Sequence, residues 1–286
     1  MIQIGDLEIH LINDARILVD AGGAFGLVPR TLFSSYLMPD EQNRIPMDHY
    51  CLLVRGAGKT VVVDTGLGCE MPEKLARILN VTRPREGCLL EGLAAHGVQP
   101  EDVDIVVNTH LHNDHCGGNT RYDQAGKVVA TFPRAEYLAP EREYQDALFP
   151  NERTRGTYFP VNYVPLYEAG QLTLIKGVHE VLPGMSIVPT PGHTPGHTSV
   201  VFESGKQAAL YPADLSSFAI HFARLGWMTA YDVEPLVTLE TKRIWQRWAL
   251  QHNALLLFEH DPLIQVGRLA ERGGGFEVIP AAQETA

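Results

Sequence analysis

A layered α/β fold is what this sequence predicts, on three observations. Strand-length apolar runs and helical runs occur in both halves of the chain. Apolar residues make up 45% and charged residues 20% of the 286 residues, the balance of a folded protein and not of a disordered one. Histidines and acids fall just after the predicted strands, at the carboxyl ends where α/β sheets build their sites. A chain of this length could hold two domains, but α/β folds of this size often form one. We read a single domain over 1–286, with an N-terminal arm over about 19–46 and an insertion over about 148–170.

The opening MIQIGDLEIHLIND alternates in polarity and reads as a strand, with neither the basic leader nor the apolar core of a secretion signal. DAGGAFGLVPRTLFSSYLMPDEQNRIP then carries glycines, prolines and aromatics, and reads either as a lid or interface arm or as a packed surface loop. CLLVRGAGKTVVVDTG has the form of a hairpin whose second strand delivers Asp64 to a loop. EMPEKLARIL and CLLEGLAAHGV have helical spacing, the second closed by His96-Gly97 as a glycine C-cap. The strand DIVVNT follows.

In the second half, strands are expected near LTLIKG, MSIVPT, TSVVFES and KQAALYP, then a helix across PLVTLETKRIWQRWALQHN and the strand ALLLFEH. The tail after Gly273 reads as frayed.

A net charge of -11 repels phosphate backbones and anionic membranes, and no lysine or arginine cluster offsets it, so nucleic acid is excluded as a partner. No window approaches the roughly 18 apolar residues that would span a bilayer. Cys51, Cys69, Cys88 and Cys116 contain no C-x-x-C pair and read as reduced thiols without disulfides. A cytoplasmic location is expected.

NTHLHNDHCGGNT places His110, His112, Asp114 and His115 on a loop just after a buried strand. Imidazole and carboxylate suit zinc, manganese or iron, and such a run converges on a small volume. A first metal could take His110 and His112, with Asp114 and His115 directed toward a second. PTPGHTPGH then offers His193 or His197, YPADLSS offers Asp214 and FEHDP offers His260, each just after a strand. His10, His49, His96, His179 and His252 have no motif context and are read as structural.

H-x-H-x-D-H, followed by T-P-G-H-T-P-G-H, an isolated aspartate and a late histidine, with V-V-V-D-T-G upstream, resembles the metallo-β-lactamase superfamily from Asp64 to His260. The resemblance implies an αββα sandwich with a metal pair at one edge of its sheets. By position it implies that His110, His112 and His193 hold one ion, that Asp114, His115 and His260 hold the other, and that Asp214 bridges both. The first histidine of P-G-H-T-P-G-H is the family ligand, which favours His193 over His197. Asp64 would orient a ligand histidine from behind.

The chain departs from the family pattern at several positions. Ala213 stands before the bridging aspartate where glycine is usual. Asn113 replaces the glutamate of oxygen-reducing relatives, which favours hydrolysis. Ser217 stands where quorum-sensing lactonases carry a tyrosine, which puts the usual carbonyl-polarising phenol in doubt. The B1 lactamases' cysteine ligand is absent.

The implied chemistry is attack by a hydroxide on a dinuclear centre, most simply of zinc, with manganese, iron or cobalt as alternatives. Asp114 would also move a proton to the leaving group. Aromatics with few cations favour a neutral or apolar small molecule, with Phe25, Ser217, His221 and Trp227 as expected contacts.

The resemblance leads to a lactone or ester hydrolase, and next to a phosphotriesterase. A glyoxalase II-like thioesterase would need a basic patch near the motifs, and a mononuclear iron persulfide dioxygenase would leave the second ligand set idle. A homodimer through the arm is also implied.

Overall fold

The computed structural model describes residues 1–71, 73–85 and 87–281. The first sheet begins with β1 (Ile2–Ile4), β2 (Leu7–Asp20), β3 (Arg44–Gly56), β4 (Lys59–Val63) and β5 (Ile105–Val107). A small hairpin of β6 (Thr120–Tyr122) and β7 (Val128–Ala130) leaves the sheet before β8 (Glu136–Pro140) and β9 (Leu172–Ile175) complete it. The second sheet contains β10 (His179–Leu182), β11 (Met185–Pro189), β12 (Thr198–Ser204), β13 (Gln207–Tyr211), β14 (Leu255–Leu257), β15 (Val266–Arg272) and β16 (Gly275–Pro280). β4, β5, β8 and β9 run parallel, as do β13 and β14, and the other neighbours are antiparallel.

Period-two alternation explains the layering. Leu52, Val54, Val61, Val63 and Val107 face a core shared with Ile187, Val200, Phe202, Ala209 and Leu257 of the second sheet. Their neighbours Cys51, Leu53, Val62 and Val106 face outward and pack against the helix Leu89–Ala95 and, with Tyr144 and Leu166, the helices Glu141–Leu148 and Val164–Glu168. On the far side, Val201, Leu210 and Leu256 pack with Ala249 of the helix Pro235–His252 and Phe222 of Ala219–Ala223. The architecture is a metallo-β-lactamase fold, two sheets face to face with helices outside. Full burial of each large aliphatic side chain contributes roughly 1.5–3 kcal/mol.

The helix Pro235–His252 starts with proline at its first turn and stops at Asn253, whose φ of 45° is left-handed and whose N–H reaches back to Ala249 and Leu250. The helix expected over EMPEKLARIL is seen as Glu73–Ile78; Pro72 lies outside the described residues. The opening segment is two paired strands turning at Gly5.

Residues 21–25 and 30–33 of the arm form short helices, and Phe25, Phe33 and Leu37 are buried with Phe218. No helix among the described residues is long and apolar enough to cross a membrane.

Two expectations are corrected. The tail after Gly273 is not frayed over its described part: Gly275–Pro280 is β16, paired in register with β15, with Val278 buried. Residues 282–286 lie outside the described residues. Cys69 and Cys88 form a disulfide. They are 19 positions apart and lack a short motif, but the chain between them turns back and brings their Cα atoms to 5.6 Å. Cys51 and Cys116 are free and buried.

Candidate metal centre

The centre sits at the carboxyl ends of β4, β5, β11, β13 and β14, where five loops meet. After β5 the chain bends at Thr109 and His110, extends at His112 and then makes a single helical turn, Asn113–Cys116, which brings Asp114 and His115 to the same side. Donor atoms of His110, His112, His193 and Asp214 lie within 4.8 Å of one another, and so do those of Asp114, His115 and His260. His197, by contrast, turns its Nδ1 to the carbonyl of Thr190 at 3.1 Å and stands outside both groups.

Asp214 lies between the two groups. Its Oδ2 is 3.1 Å from His193 Nε2, 3.8 Å from His110 Nε2 and 3.3 Å from His115 Nε2, while its Oδ1 is 3.2 Å from His260 Nε2. Ala213, where glycine is usual in the family pattern, adopts a φ of 46° and keeps the left-handed turn that presents Asp214. Ser217 is buried, and its hydroxyl donates to Asp214 Oδ1 at 2.7 Å.

His115, His193 and His260 are each held from behind. Asp64 accepts from the N–H and hydroxyl of Thr109, both at 2.8 Å, and lies 3.2 Å from His115 Nδ1. Glu259, which accepts from the Tyr211 hydroxyl, lies 3.1 Å from the same nitrogen. Asp232 sits 3.0 Å from His193 Nδ1, and the carbonyl of Asp48 is 2.7 Å from His260 Nδ1. Glu143, fully buried, accepts from Thr194, Tyr158 and the N–H of Leu111, tying the two histidine loops together. Gly192 has a φ of 140°, and a side chain there would lie 2.4 Å from the backbone N of Thr238, so the turn before His193 requires glycine.

The arrangement fits divalent metal. His110 Nε2 is buried without a hydrogen-bond partner. Ring nitrogens face each other at 3.1 Å between His193 and His112 and at 3.3 Å between His260 and His115, a crowding of lone-pair donors that a cation satisfies.

Protonation divides the centre: His110 and His112 are held neutral and ready to bind a cation, whereas His260 must give up a proton to do so. Burial, then the neighbouring imidazoles, holds His110 well below its ordinary pKa. Burial and His193 push His112 down to about 3. Burial opposes charge on His260, but Asp214 and Glu259 overcome it and raise the group to about 9. Burial likewise opposes ionisation of Asp214, which the surrounding His193, His260 and His115 nevertheless hold well below the carboxylate range. Burial, the leading effect, lifts Asp64 to about 6.

Asp114 is the open edge of the centre, with 28% of its side chain exposed. Of the expected substrate contacts, Phe25 is fully buried between Phe33 and Phe218, and His221 is buried edge-on to Phe25 with both ring nitrogens unpartnered. Trp227 is half-buried against the arm.

Sequence reasoning missed Glu259, Asp232, Glu143 and His49. His49 is fully buried, with Nε2 3.6 Å from Asp114 Oδ2 and its ring edge-on to His260. Only Glu259 carried a signal, its place next to His260 at a strand end.

A family model described as the metallo-beta-lactamase superfamily matches residues 44–260. An N-acyl homoserine lactonase of Bacillus cereus is 28% identical over 254 residues, spanning 82% of this chain and 89% of its own length. A probable metal-dependent hydrolase from Staphylococcus aureus superposes with a TM-score of 0.87 at 29% identity, covering 100% of both chains. The dizinc quorum-quenching lactonase AidC superposes with a TM-score of 0.81 at 22% identity, over 99% of this chain and 97% of its own, a likeness of fold.

Proposed function

The chain belongs to the metallo-beta-lactamase superfamily, and from that premise we propose that it is a metal-dependent hydrolase opening lactones or cleaving carboxylic esters at a dinuclear centre. The observation that carries this reading is Asp214, whose two oxygens each lie within hydrogen-bonding distance of a histidine from a different donor group. His110, His112 and His193 would hold one ion, Asp114, His115 and His260 the other, with Asp214 common to both and zinc the simplest occupant.

Bound there, a pair of divalent ions supplies Lewis acidity and lowers the pKa of a shared water toward neutrality. The protein's own groups do the rest. Asp64 and Glu259 hold His115, and Asp232 holds His193, so that each ring presents Nε2 to the centre. Asp114, ionised and partly exposed, is placed to accept a proton from the attacking water and pass it to the leaving alkoxide.

The relatives named N-acyl homoserine lactonase support a lactone as substrate. A net charge of -11 disfavours an anionic one. Leu27 and Met38, highly exposed on the arm, suit a contact between two copies, which light scattering would read as a dimer mass.

Proton release from a panel of uncharged lactones and aryl esters tests the reading. Turnover that disappears in Asp214→Ala is expected. A protein loaded with metal that turns over phosphotriesters or thioesters, and no lactone or ester, would overturn it.

A further inference from the structure

The linked pair Cys69 and Cys88 lies outside the metal centre, on the loop that carries Asp64 to it and on the helix Leu89–Ala95. Cys69 is exposed, whereas Cys88, at the start of that helix, is only 5% exposed. A reagent in solution therefore meets the sulfur of Cys69 and not that of Cys88.

The flanks of both cysteines are fastened without the link. Asp14, fully buried, accepts from the N–H of Leu67 at 3.0 Å, from the N–H of Leu89 at 2.9 Å and from Arg83 Nη1 at 2.9 Å. One carboxylate thus clamps the chain just before Cys69 and just after Cys88. Arg83 Nη2 also donates to the carbonyl of Gly68. Upstream, the N–H of Thr65 donates to the carbonyl of His115 and the carbonyl of Gly66 accepts from the N–H of Gly117, which seats the segment from Asp64 to Gly68 on the metal-bearing turn.

Beyond Gly68 the hold is slighter. Among the described residues the backbone of 69–71 makes no hydrogen bond, and the one side-chain bond is that of Glu70, which accepts from the N–H of Tyr122 at 2.9 Å. Glu70 and Met71 line a cavity of about 150 Å³ whose other walls include Asn113, Gly117 and Phe159. Breaking the link therefore frees residues 69–71 and the cavity wall they carry. Asp64, Leu67 and the helix stay where Asp14, Arg83 and the metal-bearing turn hold them.

From this arrangement we propose that Cys69–Cys88 is a thiol-exchange site, open to small soluble thiols of the glutathione class, whose state sets whether the cavity wall at 69–71 is fixed or released. The inference stands apart from the hydrolase reading. A small thiolate attacks Cys69 Sγ and forms a mixed disulfide as the Cys69–Cys88 bond breaks, and the electron pair passes to Cys88 Sγ, which takes up a proton. Glu91 Oε2, 2.6 Å from that sulfur, is placed to accept the new S–H. A second thiolate attacks the mixed disulfide, leaving Cys69 as a thiol and releasing the oxidised dimer of the small thiol. Two small thiols are oxidised for each link reduced. Cys51 and Cys116, both buried, are out of reach of the same reagent.

Metal-loaded protein incubated with reduced glutathione, quenched in acid and digested without reductant tests the site by peptide mass. Glutathione is expected on Cys69, with Cys88 a free thiol and with Cys51 and Cys116 unmodified. Hydrogen exchange on the reduced, folded protein tests the consequence. Amides at 69–71 should exchange at least about tenfold faster, with protection unchanged in β4, β5 and residues 110–118 and with metal content unchanged. The double variant Cys69→Ser with Cys88→Ser should show the same pattern with no thiol present, which separates the broken link from any effect of the reagent on metal, while the reduced wild type gives the reading without depending on how the variant folds.

A link that survives excess glutathione, or glutathione carried by Cys88 in place of Cys69, would overturn the exchange site. Unchanged exchange at 69–71 after reduction would overturn the released wall. So would faster exchange throughout the first sheet, since the link would then hold the domain and not one wall of a cavity.

Discussion

His110, His112, Asp114 and His115 owe their legibility to local chemistry, since three imidazoles and a carboxylate within six positions are hard to explain without a cation, whereas Asp214 was read from its place after a strand and in the family's motif order. The groups behind them could not be read in the same way. Asp232 and Glu143 come from segments with no motif, and they matter only because folding brings them to His193 and Leu111. Asp64 and Glu259 converge on one nitrogen of His115, so Asp64→Asn or Glu259→Gln should weaken metal binding by about 10–100-fold while leaving the ligands in place. Competition with a chromophoric chelator would measure this.

A second residue-scale prediction concerns Lys242, which is buried and donates to the carbonyls of His221 and Trp227. Burial lowers its pKa from 10.5 to about 8 in the folded chain. Below pH 8 both states carry the proton, and the cost of the buried charge, of order 3 kcal/mol, is fully present. Between about pH 8 and 10.5 the unfolded state binds more protons, so stability rises with pH across that window. Lys242→Met should remove the rise, as urea midpoints taken at intervals between those pH values would show.

Among the elements, the hairpin of β3 and β4, the strand β5 and the helix Pro235–His252 were readable, because alternating β-branched residues and a proline start with an asparagine stop are local signals. β16 was not, since a glycine-rich turn at 273–275 looks the same whether the chain pairs afterwards or frays. β8 was overlooked for a related reason: Glu136–Pro140 is short and ends in proline, yet it lies between β5 and β9 in the parallel part of the sheet.

The Cys69–Cys88 link was also invisible, being a product of tertiary return and not of spacing. It closes a loop of 19 positions, for which chain entropy predicts about 3 kcal/mol of stabilisation. Unfolding curves with and without reductant should differ by that order, and Cys69→Ser should behave as the reduced protein does. Equal midpoints would show that the link adds nothing to stability.

For the molecule as a whole, the layered arrangement followed from strand and helix runs in both halves, whereas the face-to-face packing of two sheets followed only from the family resemblance, which the structure bears out. Period-two patterns place apolar residues on both faces of β3, β4 and β5 without saying what covers each. That packing is what makes one site from distant segments: Asp64 and the loop after β5 come from the first sheet, and His193, Asp214 and His260 from the second. The centre therefore spans the open edge between the sheets, and neither sheet alone holds enough donors for it.

A dinuclear centre shared through Asp214 is the central claim, and metal titration tests it most directly. Protein stripped with a chelator should regain activity as zinc is added, reaching its plateau at two equivalents per chain, while Asp214→Asn holds fewer ions and stays inactive. Full activity at a single equivalent, unchanged by a second, would contradict the claim.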